Sequence, residues 1–482
     1  MTDLSTAKET KQGAYDILVP EEHQYDSKIA SEVSYYTYRR IFPLSEPTVA
    51  LNGTCISEFE ITPNQVFNLS KSFLEADITF SGALAVNTYC YVAHSGFCAY
   101  IDQVEFLDAS GKQLVWMQYP EQYTKIVWPT AISQEAFLSS SIPVRGTTAA
   151  AVGSMKTTLL NRSNVEGTNV DGGGVITSTT AQLLPVNGSG IDAYTGLQRA
   201  IVGAANSDLA IRIQMPLGQL FGTLFSCNKD LYFGQTTTIR ITWNQGIKMG
   251  YTMVAADGTV PLQLLVSPSI SNDRIRLAQQ ANPITADSIR KSVINEGIHL
   301  NVPFVWGYKI TLATGANLTP QSFLRKINKG HGQRLLRVWT GQFNFTGDSG
   351  GAYYCQNQNY VDTMFTQVWS QLDGNNLQES NLVNANGDIY EFLQQKLDKS
   401  VAGLNNEYLA SAFMLNDFTP WKTKDFASSD MEVCGLSLAE EREYSINFIS
   451  NRVPAGSANN LYYMFVVCQR LLSITREGVM FA

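Results

Sequence analysis

Histidine is scarce in this chain, four in 482 residues, and the seven cysteines at 55, 90, 98, 227, 355, 434 and 468 include no C-x-x-C pair. An odd, scattered cysteine set predicts reduced, mostly buried thiols. No apolar run approaches the roughly 20 residues that span a bilayer as a helix, and the opening MTDLSTAKETKQG carries no hydrophobic signal region. The chain is therefore expected to be made and kept on the cytosolic side. Six N-x-S/T sequons, among them Asn52-Gly53-Thr54 and Asn344-Phe345-Thr346, then read as ordinary polar turns. An excess of positive charge is missing too: 34 Lys and Arg stand against 42 Asp and Glu, a formal charge of -8. That balance argues against sequence-specific or general nucleic-acid binding, which draws on clustered cations.

What remains is ample material for packed cores, with 44% hydrophobic and 11% aromatic residues. At 482 residues the chain exceeds what one core usually serves, so two domains are expected. The informative stretch is Asp208 to Leu277. Ile211, Ile213 and Met215 alternate with Arg212 and Gln214, and after a short apolar turn at Pro216 to Phe225, Ile239, Ile241 and Trp243 alternate with Arg240, Thr242 and Asn244. This period of two is the mark of half-buried strands. Gly246, Gly250, Asp257, Gly258 and Pro261 then supply connector chemistry before Leu262 to Val266 resumes an apolar run.

Further strands are predicted at Cys55 to Ile61, Leu74 to Phe80, Ala99 to Leu107 and Leu114 to Met117, the last two joined by an Asp108-Ala109-Ser110-Gly111 turn. In the second half they are predicted at Val302 to Leu312, within Leu324 to Phe345, at Val361 to Leu372, around Tyr444 to Phe448 and at Leu461 to Val467. The last is continuously apolar and so expected to be covered on both faces. Short helices are expected within Glu121 to Leu138 and near Ala286 to Lys291, and a helical insertion at 388–413, where Ile389, Phe392, Leu393 and Leu397 share a helical spacing. Ser139 to Asn206 is rich in Gly, Ser, Thr, Ala and Asn and reads as a long surface excursion. The pattern is all-β, a pair of antiparallel sandwiches; no internal repeat is visible in the sequence.

Three segments in order resemble the major capsid proteins of the double jelly-roll lineage, the tailless icosahedral double-stranded DNA viruses with their polinton-like and virophage relatives. They are Asn272 to Gln280, Thr366 to Leu377 followed by Tyr390 and Phe392, and the closing run Leu461 to Phe481. The resemblance implies two consecutive eight-stranded antiparallel jelly rolls with long loop insertions and a few short helices. On that basis residues 1–45 are an N-terminal arm, 46–245 the first jelly roll with the loop 139–206, 246–261 a connector, and 262–482 the second jelly roll with the insertion 388–413. It further implies a pseudo-hexagonal homotrimer tiling an icosahedral virion shell. Its partners would be copies of itself, neighbouring capsomers, penton and minor capsid proteins, and an inner membrane. No catalysis, cofactor or metal is implied.

Other motifs compete with that reading. Gly347-Asp348-Ser349-Gly350-Gly351 is identical to the nucleophile motif of trypsin-like serine proteases, and Tyr91 to Cys98, with His94, resembles the histidine motif. Ser349 lies 255 residues beyond His94, however, with the expected joint between them, and Gly-Asp-Ser-Gly-Gly is also favourable turn chemistry. Cys90, His94 and Cys98 lack a fourth metal ligand at useful spacing. Gly172-Gly173-Gly174 lacks the Lys-Ser/Thr of a phosphate loop. The basic run Leu324 to Arg337, from Arg325 to Arg337, suits DNA, anionic lipid or a neighbour's acidic patch, or simply a solvated surface. Tyr35, Tyr36 and Tyr38 with Arg39 and Arg40 suit base stacking or an arm packed on a neighbouring sandwich. A glycan-binding protein using the 139–206 loop is the remaining alternative.

Overall fold

The computed structural model describes residues 35–50, 53–81, 88–92, 100–131, 142–145, 154–157, 168–170, 176–178, 199–202, 209–246, 249–254, 267–311, 320–343, 365–378, 380–383, 388, 414–417, 435–450, 461–476 and 478–481. The first half runs β1 (Tyr36–Ile41), β2 (Cys55–Ile61), β3 (Val66–Ser81), β4 (Thr88–Val92), β5 (Ile101–Leu107), β6 (Gln113–Gln118) and helix α1 (Pro120–Ala131). Five short strands follow, β7 (Ile142–Arg145), β8 (Ser154–Thr157), β9 (Thr168–Val170), β10 (Ile176–Ser178) and β11 (Arg199–Val202). Then come β12 (Leu209–Pro216), β13 (Asp230–Tyr232), β14 (Thr237–Trp243), β15 (Gly250–Val254) and β16 (Ser267–Gln280). Helix α2 (Pro283–Asn295) leads into β17 (Ile298–Thr311), β18 (Gln321–Ile327), β19 (Arg334–Phe343), β20 (Phe365–Leu372), β21 (Asn375–Asn376) and β22 (Leu382–Val383). The chain closes with β23 (Met414–Asp417), β24 (Leu436–Ser437), β25 (Arg442–Ser450), β26 (Leu461–Thr475) and β27 (Gly478–Phe481).

Sheet order reveals a repeat that the sequence hides. Counting β1, β2, β3, β5, β6, β12, β14 and β16 as eight successive strands, one sheet runs first-eighth-third-sixth (β1-β16-β3-β12) and the other second-seventh-fourth-fifth (β2-β14-β5-β6). The second half repeats this wiring as β17-β26-β19-β23 and β18-β25-β20-β21, with β22 also on β20. Antiparallel pairing with strands that switch sheets in this way is a jelly roll, and the chain contains two in succession. The long excursion at 139–206 lies between the fifth and sixth strands of the first roll, and the insertion 388–413 lies between the fifth and sixth strands of the second.

The expected boundaries shift accordingly. Tyr36–Ile41, assigned to an arm, is the first strand of the first roll and pairs residue for residue with Ile275–Gln280. Gly250–Val254, assigned to a connector, is a strand on β4. Ser267–Gln280, assigned to the second roll, closes the first by pairing with both β1 and β3. Alternation reveals that a segment is a strand but not which distant partner satisfies its backbone. The passage between the rolls is α2, capped by the Asn282 side chain, which accepts from the Ile284 and Thr285 amides, with Pro283 in the first turn. Of the 388–413 insertion only Asp388 is described, so its expected helices lie outside the described residues. Within 139–206 the described pieces are short strands, with β7 on β8, β9 on β10, and β11 on β4.

Local rules hold well inside the sheets. β14 buries Thr237, Ile239, Ile241 and Trp243 and turns Thr238, Arg240 and Thr242 outward. On that outer side Arg240 bonds its cross-strand neighbours on both flanks, Glu58 at 2.7 Å and Glu105 at 3.2 Å. The Asp108 turn forms as its sequence implies, the carboxylate accepting from the Ser110 and Lys112 amides while Gly111 takes φ of 79°.

Polar clamps bind neighbouring strands within one sheet of the first roll and, at Asp273, join its two sheets. Asp230 accepts from Tyr36 at 2.7 Å, Asn68 at 3.0 Å and Gln280 at 2.9 Å, joining β1, β3, β13 and β16. Glu75 on β3 takes Arg274 at 2.7 Å and Arg276 at 3.1 Å from β16 and Gln214 at 3.2 Å from β12. A register shift between Ser271 and Arg274, with Asn272 at φ of 53°, turns Asp273 inward. There the Trp243 indole donates to Ser57 at 2.7 Å, and Ser57 donates to Asp273 at 2.6 Å.

Candidate functional site

None of the chemistry suggested by the motifs is assembled among the described residues. Ser349 falls in 344–364, and His94 and Cys98 in 93–99, all outside the described residues; so does the Gly172 to Gly174 run. Cys90 lies on β4, paired with Thr252. No three His, Cys, Asp or Glu side chains converge as metal ligands among the described residues. Burial pushes the Cys55 and Cys227 thiols up to about 11 and Cys468 higher still, so these three stay protonated at neutral pH.

The basic run divides into β18, a turn and β19, and most of its cations have partners within the chain. Arg325 stacks on Phe323 at 4.8 Å and Tyr308 at 5.0 Å. Lys326 pairs with Glu441 at 3.0 Å. Arg334 donates to the Gly435 carbonyl, and Arg337 is buried. Cations held in this way are poorly placed to neutralise a row of phosphates.

The working feature of the structure is the seam where the two rolls meet. Trp116 of β6 meets Trp306 of β17 edge-on at 5.7 Å. From the first roll, Tyr119 and α1's Tyr123 contact β26 through Tyr463 at 5.3 Å and Phe465 at 5.2 Å, again edge-to-face. Gly307 permits the close approach: a Cβ there would meet the Gln118 carbonyl at 3.2 Å and the Tyr119 ring. Lys309 over Tyr119 and Lys112 over Phe481 reinforce the join at its margins. Core residues of both rolls form one continuous buried cluster, so the rolls are a single packed body. The double coverage of β26 was legible in its unbroken apolar run. The aromatic pairs were not, because nothing in the sequence near Trp116 or Trp306 marks a contact between rolls.

A second feature is an exposed apolar strip. Tyr35, Tyr38, Phe42, Leu44 and Ile56 make up five of the nine exposed large hydrophobic side chains among the described residues, and all lie on or beside β1 and β2. Leu44 reaches β2 directly, its amide donating to the Glu58 carbonyl. Tyr36 turns inward to Asp230 with Lys71 over its ring, whereas Tyr38 lies outside against Phe73 and Arg276, and Arg39 and Arg40 are exposed beside it. Exposed apolar residues gathered along neighbouring strands mark an interaction surface more often than isolated ones do.

No protein-family model matches the chain, and no curated protein matches it in sequence. Among solved structures the chain is similar to the mavirus major capsid protein at 11% identity and a TM-score of 0.52, over 96% of this chain and 94% of that one. It is also similar to the Sputnik virophage structure solved by cryo-electron microscopy, at 10% identity and a TM-score of 0.54, over 96% of this chain and 91% of that one. At such identities the likeness is one of fold, and it extends over nearly the whole of each chain.

Proposed function

We propose that this chain is a structural, non-catalytic protein, the major subunit of an icosahedral virion shell, and that it acts as a pseudo-hexagonal homotrimer. The observation that carries this reading is the pair of identically wired jelly rolls fused by a packed aromatic seam. Two similar lobes locked in one body give each subunit two of six roughly equivalent edges, and three copies close the outline. The exposed strip on β1 and β2 supports it as a face awaiting a neighbour. An obligate contact of this kind buries on the order of 2,000 to 5,000 Å². The long connections between fifth and sixth strands would form towers on the outer side, since loop length adds closure entropy only logarithmically. Residues ahead of β1 would reach adjacent capsomers, penton or minor capsid proteins, or an inner membrane.

Light scattering coupled to size exclusion is expected to give a particle close to three times 53.2 kDa. A persistent monomer at micromolar concentration would sink the proposal. No observation favours the Ser349 hydrolase or the glycan-binding alternative. A fluorophosphonate probe is expected to leave Ser349 unlabelled.

A further inference from the structure

β1 and β17 hold equivalent places at the sheet edges of their rolls, and they differ in what lies beside them. β17 is met by β6 at the seam, whereas among the described residues β1 pairs with β16 alone and leaves its other edge open. The Ala281 amide donates to the Tyr35 carbonyl, so antiparallel alternation turns the N–H and C=O groups of Tyr36, Tyr38 and Arg40 toward that open edge. A bare strand edge is a template for one more strand, which proteins usually cover or charge. This edge carries charge of one sign. Arg39 and Arg40 are exposed and pair with no carboxylate among the described residues; Arg39 reaches only the Thr62 hydroxyl. Exposed Lys71 lies over the Tyr36 ring. The exposed rings of Tyr35, Tyr38 and Phe42 follow the same strand. Such an edge fits an extended segment that brings carboxylates and apolar side chains together.

The sequence ahead of β1 holds one. Residues 1–34 carry seven acids against three lysines, and the stretch Ala14 to Asp26 has Asp16, Glu21, Glu22 and Asp26 with no Lys or Arg. Within it, Ile17-Leu18-Val19 is the only run of three apolar residues ahead of β1. One antiparallel register suits every group. Val19, Ile17 and Tyr15 fall opposite Tyr36, Tyr38 and Arg40, where the ladder bonds form, and Asp16 falls opposite Arg39. Pro20 falls opposite Tyr35, at a position whose missing N–H is not called on.

We propose that residues 15–20 of a neighbouring copy of this chain add as a strand to the open edge of β1. A return of the segment onto β1 of its own chain is disfavoured, because Glu21 to Ser34 would then form the loop, far longer than the roughly two to five residues of most hairpins. The exchange rests on the shell reading in one respect, that copies lie side by side at this face. It gives each copy a backbone ladder and a charge pair on its neighbour, in addition to apolar fit.

Photo-crosslinking of the full-length protein tests this, with p-benzoylphenylalanine in place of Ile17. The expected product is two chains joined between position 17 and residues 36–40, running near twice 53.2 kDa and located by mass spectrometry. Arg39→Glu sets carboxylates face to face and is expected to cut that product by about three- to tenfold, and adding Asp16→Lys to restore it. Arg39 is exposed, so R39E leaves the packed cores untouched. A single-chain adduct at β1 means that the segment returns to its own strand and overturns the exchange. An adduct elsewhere, or none, overturns the docking, and a yield indifferent to R39E or not rescued by D16K overturns the register. Light scattering on the same sample separates the two readings: a trimer without the two-chain product ends this proposal alone, and a persistent monomer ends both.

Discussion

The eighth strands of the two jelly rolls, β16 and β26, hold the same place in the same sheet order and are built from opposite chemistry. β16 carries Asp273, Arg274 and Arg276 and shifts register between Ser271 and Arg274. β26 is buried without interruption from Tyr462 to Gln469. The difference lies in what each strand faces. One side of β16 looks onto the outer sheet surface, where Glu75 collects its arginines. β26 presents Tyr462 to Phe323 and Phe448 in its own roll and Tyr463 and Phe465 to Tyr119 and Tyr123 of the other, so from Tyr462 to Cys468 neither side is left for charged residues. One topology is therefore stabilised by clamps where a sheet meets solvent and by apolar fit where it meets a second core.

The largest test of that contrast is Phe465→Ala. Removing a fully buried ring at the seam is expected to cost about 3 to 5 kcal/mol and to lower the denaturant midpoint of the whole body, because the two cores are continuous. A loss confined to one roll, seen as two separate unfolding transitions, would break the single-body description. Next is Glu75→Gln, which leaves Arg274 and Arg276 without their anion; about 2 kcal/mol is expected, and less at the Arg276 end, a third exposed, than at Arg274. Arg240→Met is smaller, under about 1 kcal/mol, since the guanidinium is a third exposed and screened by water. The smallest effect has the opposite sign. Burial raises Asp273, against the hydrogen bond from Ser57, so the folded state holds that proton to higher pH than the unfolded chain. Its ionised form then weighs against folding at neutral pH, and stability falls as pH rises from the usual aspartate value to the raised one. Asp273→Asn, which keeps an oxygen to accept from Ser57, is expected to give a slightly higher melting temperature at pH 7 and a flatter pH profile above 4.

Much of the framework was legible because one face of many strands is buried. Cys55–Ile61 and the β14 core show clean alternation, and Asp108 to Gly111 has the composition of its turn. The failures share a cause. Tyr36–Ile41 is an edge strand with four of its six residues exposed, so it carries no apolar alternation to betray it. In β16, Ile275 and Leu277 alternate with Arg274 and Arg276, but the strand's partners, Tyr36–Ile41 and residues between Phe67 and Ser81, lie far earlier in the sequence. The seam was invisible for a related reason: Trp116, Trp306 and Arg470 meet only after three separate strands are in place. By contrast, the basic run was conspicuous and proved to be largely committed to contacts within the chain.

The strand that serves both cores begins only at Leu461, so it is synthesised after every aromatic residue it covers. Until it arrives, Tyr119 and Tyr123 in the first lobe and Phe323 and Phe448 in the second all lack a covering partner, however long ago they were synthesised. Closure of both cores therefore waits on this one strand, and a chain cut short before it is expected to leave aromatic surface uncovered on both lobes.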